Sequence, residues 1–145
     1  MKISQQVGLE FHLFDVLKVT YERNTSRKEY QFNISIKHNI VIDKEDNSSF
    51  QAFFYIDIKS DKTDEFLNIQ MEAVGHFKII GDFSKEIIDN YLNISSPSIV
   101  YPYLRAFLAN FTMQTGINPI NLPPVNFANQ QIVLKDKKIK KSKKD

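Results

Sequence analysis

Three histidines, His12, His38 and His76, are the first residues to weigh as metal ligands or bases. None has a second histidine or a carboxylate at a metal-site spacing such as H-E-x-x-H, so no metal centre is expected. His38 sits among apolar residues in an alternating segment, where a satisfied core or interface histidine is expected. His76 follows Gly75 and is the other histidine to watch. Carboxylates cluster at Asp43, Glu45 and Asp46 and at Asp64 and Glu65. General acid–base work needs such pairs, but these lie in polar turns, where solvated charge is the simpler reading. Gly8, Gly75, Gly81 and Gly116 stand alone and build no phosphate loop, and no G-x-S-x-G is present. Without a cysteine there is no disulfide and no thiolate chemistry. The chain reads as a non-enzyme, with no catalytic residue and no cofactor.

The unusual chemistry lies in "SPSIVYPYLRAFLANFTMQTGINPINLPPVNF", Ser96 to Phe127. Leu104, Phe107, Leu108 and Phe111 make a helical stripe, and Gly116 is a natural stop. Beyond it, Pro119, Pro123 and Pro124 exclude helix and central strand. Yet Ile117, Ile120, Leu122, Val125 and Phe127 keep the strip apolar. Two readings stand: a loop that plugs its own core, or a semi-exposed surface made for partners. The prolines suit the second. They lower the entropy lost on ordering and withhold amides that would invite strand aggregation.

The elements that must position this strip are readable from periodicity. Four segments alternate with period two, as half-buried strands do. The first aligns Phe11, Leu13, Leu17, Val19 and Tyr21, with Asp15 as an exception. The second aligns Phe32, Ile34, Ile36, His38, Ile40 and Ile42. The third aligns Phe50, Ala52, Phe54, Ile56 and Ile58. The fourth aligns Leu67, Ile69, Met71 and Ala73, then Phe77 and Ile79 after Gly75, a glycine that marks a bulge or a close backbone approach. The connections are short and polar, too short for crossover helices. A short helix follows from the N-cap Ser84, and a long one from Ser96-Pro97 or, given Pro102, from near Tyr101. The expected fold is α+β: a four-stranded antiparallel meander, then a short and a long helix. "QQIVLKD" could add one short strand.

With 145 residues the chain is long enough for one domain, assigned to 1–134, followed by a lysine-rich tail at 135–145 expected to be disordered. The tail holds seven lysines and two aspartates, 7 − 2 = +5. The whole chain is +2, so the body carries 2 − 5 = −3. The tail offers an alternative function, nucleic-acid binding with steep salt dependence, but it lacks an aromatic residue for base stacking, and no specific nucleic-acid partner is expected. No stretch reaches the ~20 apolar residues of a membrane span, and no signal-peptide core is visible. A soluble, cytoplasmic protein without membrane insertion is expected.

Tyr101-Pro102-Tyr103-Leu104-Arg105 and Asn121-Leu122-Pro123-Pro124-Val125-Asn126-Phe127 resemble, in type and in spacing, the F-P-Y-x-R and L-N-L-x-P-V-N-F stretches of the SecB family of protein-export chaperones. Glu72-Ala73-Val74-Gly75-His76-Phe77 resembles that family's acidic–apolar–Gly-x-Phe strand. The likeness spans most of 7–127. It implies an ATP-independent holdase for non-native chains, built as a homotetramer, a dimer of dimers. It places Ile117, Ile120, Leu122, Val125 and Phe127 beside an apolar client groove. It assigns Tyr101, Tyr103, Leu104, Phe107, Leu108 and Phe111 to core or subunit interface. It implies docking on the SecA ATPase through acidic sheet residues, here Glu22 and Glu72, although Lys18 stands where an acid is expected. The implied clients are preproteins for export or an aggregation-prone antitoxin of a toxin–antitoxin module. "ANQQIVLKDKKIKKSKKD" replaces the family's last helix and acidic or polar tail.

Overall fold

Alternation of apolar and polar residues produces four long strands, β2 (Leu9–Arg23), β3 (Gln31–Ile42), β4 (Ser49–Ser60) and β5 (Leu67–Ile79). Two short ones, β1 (Ser4–Gln6) and β6 (Lys137–Lys140), flank them. The computed structural model describes residues 4–6, 8–24, 31–60, 67–129 and 137–140, the first and last segments as backbone. The sheet order is β1-β2-β5-β4-β3-β6. The α+β class and the four-stranded antiparallel sheet are as expected. The simple meander is not. β3, β4 and β5 follow it, but β2 lies beside β5 rather than β3, a Greek-key order. The link 24–30 does not force a hairpin. Seven residues reach up to ~23 Å, and three strand spacings need only about 14 Å.

The expected disordered tail contains β6, which pairs antiparallel with β3. An open sheet edge presents unpaired N–H and C=O groups that any neighbouring extended segment can satisfy. The strand expected from "QQIVLKD", residues 130–136, lies outside the described residues.

The chain forms two compact units, to which β2 to β5 each contribute residues. One draws on Met1–Asp15, Ile40–Ala52 and Val74–Gln131, the other on Val16–Asn39, Phe53–Ala73 and Ile132–Asp145. The second unit buries Ile34, Ile36, Phe54, Ile58 and Ile69. There His38 stacks on Phe54 with ring centroids 5.6 Å apart, and burial lowers its pKa below the usual histidine value.

The first unit carries the helices. Ser84 Oγ accepts from Ile87 N and starts α1 (Lys85–Asn90) as expected. A five-residue π turn, Tyr91–Ser95, then leads straight into α2 (Ser96–Gln114). Ser96 is therefore not an N-cap. It lies within continuous helical backbone, and its hydroxyl donates to Leu92 O at 2.9 Å. Pro97 explains the π turn: it has no amide for the carbonyl four residues back, and its ring crowds that carbonyl. Widening the turn relieves both, and Ser96 N reaches Tyr91 O instead. Pro102 stays inside α2 with its ring exposed.

Gly75 is a close-approach glycine. Met71, Ala73, Gly75, Phe77 and Ile79 are all buried, with Val74 buried between them, and a Cβ on Gly75 would collide with Val100 Cγ2 of α2. Phe77 stacks between Phe11 at 5.0 Å and Phe50 at 5.2 Å. In β2 the expected apolar face fails after Phe11. Phe11 and Phe14, which strict alternation puts on opposite faces, both touch Tyr103. Leu13 and Leu17, expected on the apolar face, are 48% and 52% exposed.

Candidate functional site

The proline strip folds back along α2. Each proline leaves the backbone without an amide, so side chains of the helix complete the hydrogen bonding. Thr112 Oγ1 accepts from Ile120 N at 2.9 Å and donates to Leu108 O at 2.8 Å. Arg105 Nε donates to Leu122 O at 3.0 Å. Tyr101 Oη donates to Pro123 O at 2.5 Å. The anchors run backward along the helix as the strip runs forward, so strip and helix are antiparallel. Burial pushes the Tyr101 phenol up to about 12, against the opposing pull of the Arg105 charge.

This clamp turns the apolar side chains inward. Ile117, Ile120, Leu122 and Phe127 are buried and Val125 is half-buried. Phe127 meets Tyr101 edge-on at 5.6 Å. Of the two readings of the strip, the observed conformation is the plug. The residues assigned to core or interface divide. Tyr101, Leu104 and Leu108 are buried. Tyr103 is exposed, and Phe107 and Phe111 are half-buried and stack at 5.9 Å. Met113 and Ile87 add exposed apolar surface.

Thr112 and Arg105 were not among the expected site residues. Their signal is present in the sequence. Thr112 is a lone polar residue at the end of the i, i+4 series Leu104, Leu108, and a buried hydroxyl there needs partners.

The sheet residues serve elsewhere. Glu72 lines a cavity of about 220 Å³ in the second unit, with Lys18, Ser35, Lys37, Tyr55, Asp57 and Gln70. Glu22 is exposed and does not line it. His12 pairs with Glu10 at 3.0 Å and His76 with Asp15 at 3.7 Å. Asp46 accepts from Ser48 Oγ at 2.6 Å, Ser49 Oγ at 2.9 Å and Ser48 N at 3.0 Å. These bonds, the Ser48 hydroxyl first, hold its carboxyl at about 2. Asp43 accepts from Glu45 N at 2.9 Å. Of the carboxylates expected to be merely solvated, Asp43 and Asp46 thus build the β3–β4 turn, and Asp64 and Glu65 lie outside the described residues. Among the described residues no three His, Asp or Glu side chains could hold a metal ion together, and no helix is long and apolar enough to cross a membrane.

Known proteins share this architecture. The Mycobacterium tuberculosis SecB-like chaperone, solved in complex with a ChAD peptide from the HigA1 antitoxin, superposes with a TM-score of 0.66 over 81% of this chain and 88% of that one, at 13% identity. At that identity the likeness is one of fold. An uncharacterized protein of Methanocaldococcus jannaschii is 26% identical across 99% of this chain and 96% of its own length. The protein-export protein SecB 2 of Francisella tularensis subsp. novicida is 31% identical over 67% of each chain. The family model described as preprotein translocase subunit SecB matches residues 16–133, which include the helix, its clamp and the proline strip. The chain therefore belongs to the SecB family.

Proposed function

We propose that this protein is an ATP-independent chaperone that holds non-native polypeptide in an apolar groove closed by the proline strip. The observation that carries the reading is the construction of the strip. Ile117, Ile120, Leu122 and Phe127 are fastened to α2 by side-chain hydrogen bonds at Thr112, Arg105 and Tyr101. Lifting the strip uncovers its own apolar side chains and the Tyr101 ring that Phe127 covers. A client covering each of these side chains contributes about 1–2 kcal/mol. Such contacts are weak singly and tolerant of sequence. The exposed and half-buried apolar residues of α2, Tyr103, Phe107, Phe111 and Met113, supply surface for self-assembly in this reading. A homotetramer, arranged as a dimer of dimers, multiplies the grooves and raises avidity through effective concentration. No step of this needs a nucleotide or a catalytic residue.

Two kinds of client fit the family and the fold: a preprotein awaiting export and an antitoxin segment. Docking on SecA through Glu22 and Glu72 belongs to the export branch. Lys18 and Lys37 share the Glu72 cavity and weaken its attraction for a basic partner. The cytoplasm is the compartment where either client would be met.

The chain has no cysteine, so a lock on the strip can be engineered cleanly. Thr112→Cys with Ile120→Cys joins strip to helix where Ile120 N and Thr112 Oγ1 already lie 2.9 Å apart. The assay is light scattering of a chemically unfolded client, without nucleotide. Wild type and the reduced double variant are expected to suppress aggregation, and the oxidised variant is expected to lose suppression. Full activity of the oxidised form moves the groove elsewhere. No suppression by wild type removes the holdase reading.

A further inference from the structure

β3 ends the four-stranded part of the sheet, and its outer edge is taken by the chain's own lysine-rich segment. The ladder is antiparallel and short, with Gln31 opposite Lys140, Phe32 opposite Ile139, Asn33 opposite Lys138 and Ile34 opposite Lys137. It covers the first four of the strand's residues, while β3 continues to Ile42. The occupant is also poorly matched. Phe32, Ile34 and Ile36 are buried on one face of β3. A good partner strand would set apolar residues opposite them, because directly opposed side chains are the unit of sheet stabilisation. β6 offers one isoleucine, opposite Phe32, and a lysine opposite Ile34. Such an occupant blocks stray edge pairing, as lysines on an edge do, and remains replaceable. What holds it is the four-residue ladder.

We propose that the β3 edge is a binding site for extended, non-native polypeptide by strand addition, with residues 137–140 as the resident competitor that a client displaces. The favoured ligand has apolar residues at alternate positions and carries no lysine opposite Ile34. The inference rests on the chaperone reading above and adds a second, backbone-reading site to the strip-closed groove. Main-chain hydrogen bonds at an edge supply affinity without demanding a particular sequence, as a general chaperone requires.

The test uses the full-length chain and two point variants, Lys138→Pro and Ile139→Pro. Consecutive amides of an edge strand alternate in direction, so one of the two prolines removes a donor aimed at β3. Hydrogen exchange of the Gln31–Ile34 amides reads the ladder, and exchange of the β5 amides reports that the fold is intact. Anisotropy of a labelled peptide of alternating valine and threonine, flanked by glutamates, reads the edge as a binding site. One proline variant is expected to raise exchange at 31–34 and to bind the peptide about fivefold tighter, the effect of one or two cross-strand pairs. An unlabelled peptide copying residues 135–145 is expected to compete. Unchanged exchange in both variants overturns the proposal. So does a lost ladder with unchanged peptide affinity, or absence of peptide binding to every form. Failure of wild type to suppress aggregation bears on the chaperone reading instead, because the exchange and short-peptide measurements read the edge without a client.

Discussion

Two sets of residues on α2 meet different fates. The inner set, Val100, Tyr101, Leu104, Leu108 and Thr112, is buried. The outer set, Tyr103, Phe107, Phe111 and Met113, is exposed or half-buried. Helical phase does not separate them, because Phe107 and Phe111 continue the stripe of Leu104 and Leu108. Polar chemistry accompanies the inner set: Thr112, Tyr101 and Arg105 complete the hydrogen bonding of the proline strip and so hold it against the helix. In the outer set Phe107 stacks on Phe111, and Tyr103 meets Phe11 and Phe14 of β2. The apolar stripe alone therefore does not decide which residues of a helix are covered; the hydrogen-bond partners beside it contribute.

The comparison breaks most sharply at its ends. Leu108 is fully buried and Met113 is 50% exposed. Leu108→Ala is expected to lower stability by about 2–5 kcal/mol, through lost transfer energy and a cavity. Met113→Ala is expected to change it by about 0.5 kcal/mol or less. Urea unfolding of both at low protein concentration measures the contrast. Equal losses mean that the outer set is already packed in the free chain.

The second test sharpens the inner contact. Gly75→Ala drives a methyl into Val100 Cγ2, and Val100 is β-branched and stiff in a helix. The expected loss is about 1–3 kcal/mol from overpacking. Adding Val100→Ala removes the colliding methyls, so the double variant should be more stable than the sum of the singles by about 1 kcal/mol or more. Additive losses in unfolding titrations show that the helix simply moves away from the strand.

These residues also show where sequence stops informing. Alternation marked all four long strands, because burying one face of a sheet requires it. It could not place β2 beside β5, since period two says nothing about neighbours. In β2 the period did not predict burial either: Phe11, Leu13 and Leu17 share a face by alternation, yet of the three Phe11 alone is buried. Ser96-Pro97 has the composition of a helix start, yet a π turn accommodates the proline equally well, and composition does not choose between them. The strip residues were legible as an apolar group. Whether they lined a surface or plugged a core depended on Thr112 and Arg105, which lie 8 and 17 residues from their strip partners in sequence. The lysine tail read as solvated because charge was its dominant feature, while its place in a ladder depends on the neighbouring edge of β3.

The smallest expected effect concerns the clamp itself. Tyr101 donates to Pro123 O, and burial holds its phenol at about 12, against roughly 10 in an unfolded chain. Between those values the folded state binds more protons than the unfolded one. The stability contributed by the neutral phenol is therefore complete below about pH 10 and is lost as pH rises toward 12. Tyr101→Phe removes both the hydrogen bond and this titration. Lysines and the other tyrosines titrate alike in both proteins, so the difference between wild type and variant isolates Tyr101. Near pH 8 the variant is expected to be less stable by about 1 kcal/mol, with Pro123 O left unpaired. By about pH 11 the gap should narrow, because wild type alone must ionise or retain a buried phenol. A gap that stays constant between these pH values would mean that water reaches the Tyr101 hydroxyl, and that the clamp on the strip is already partly open at the inner set of α2.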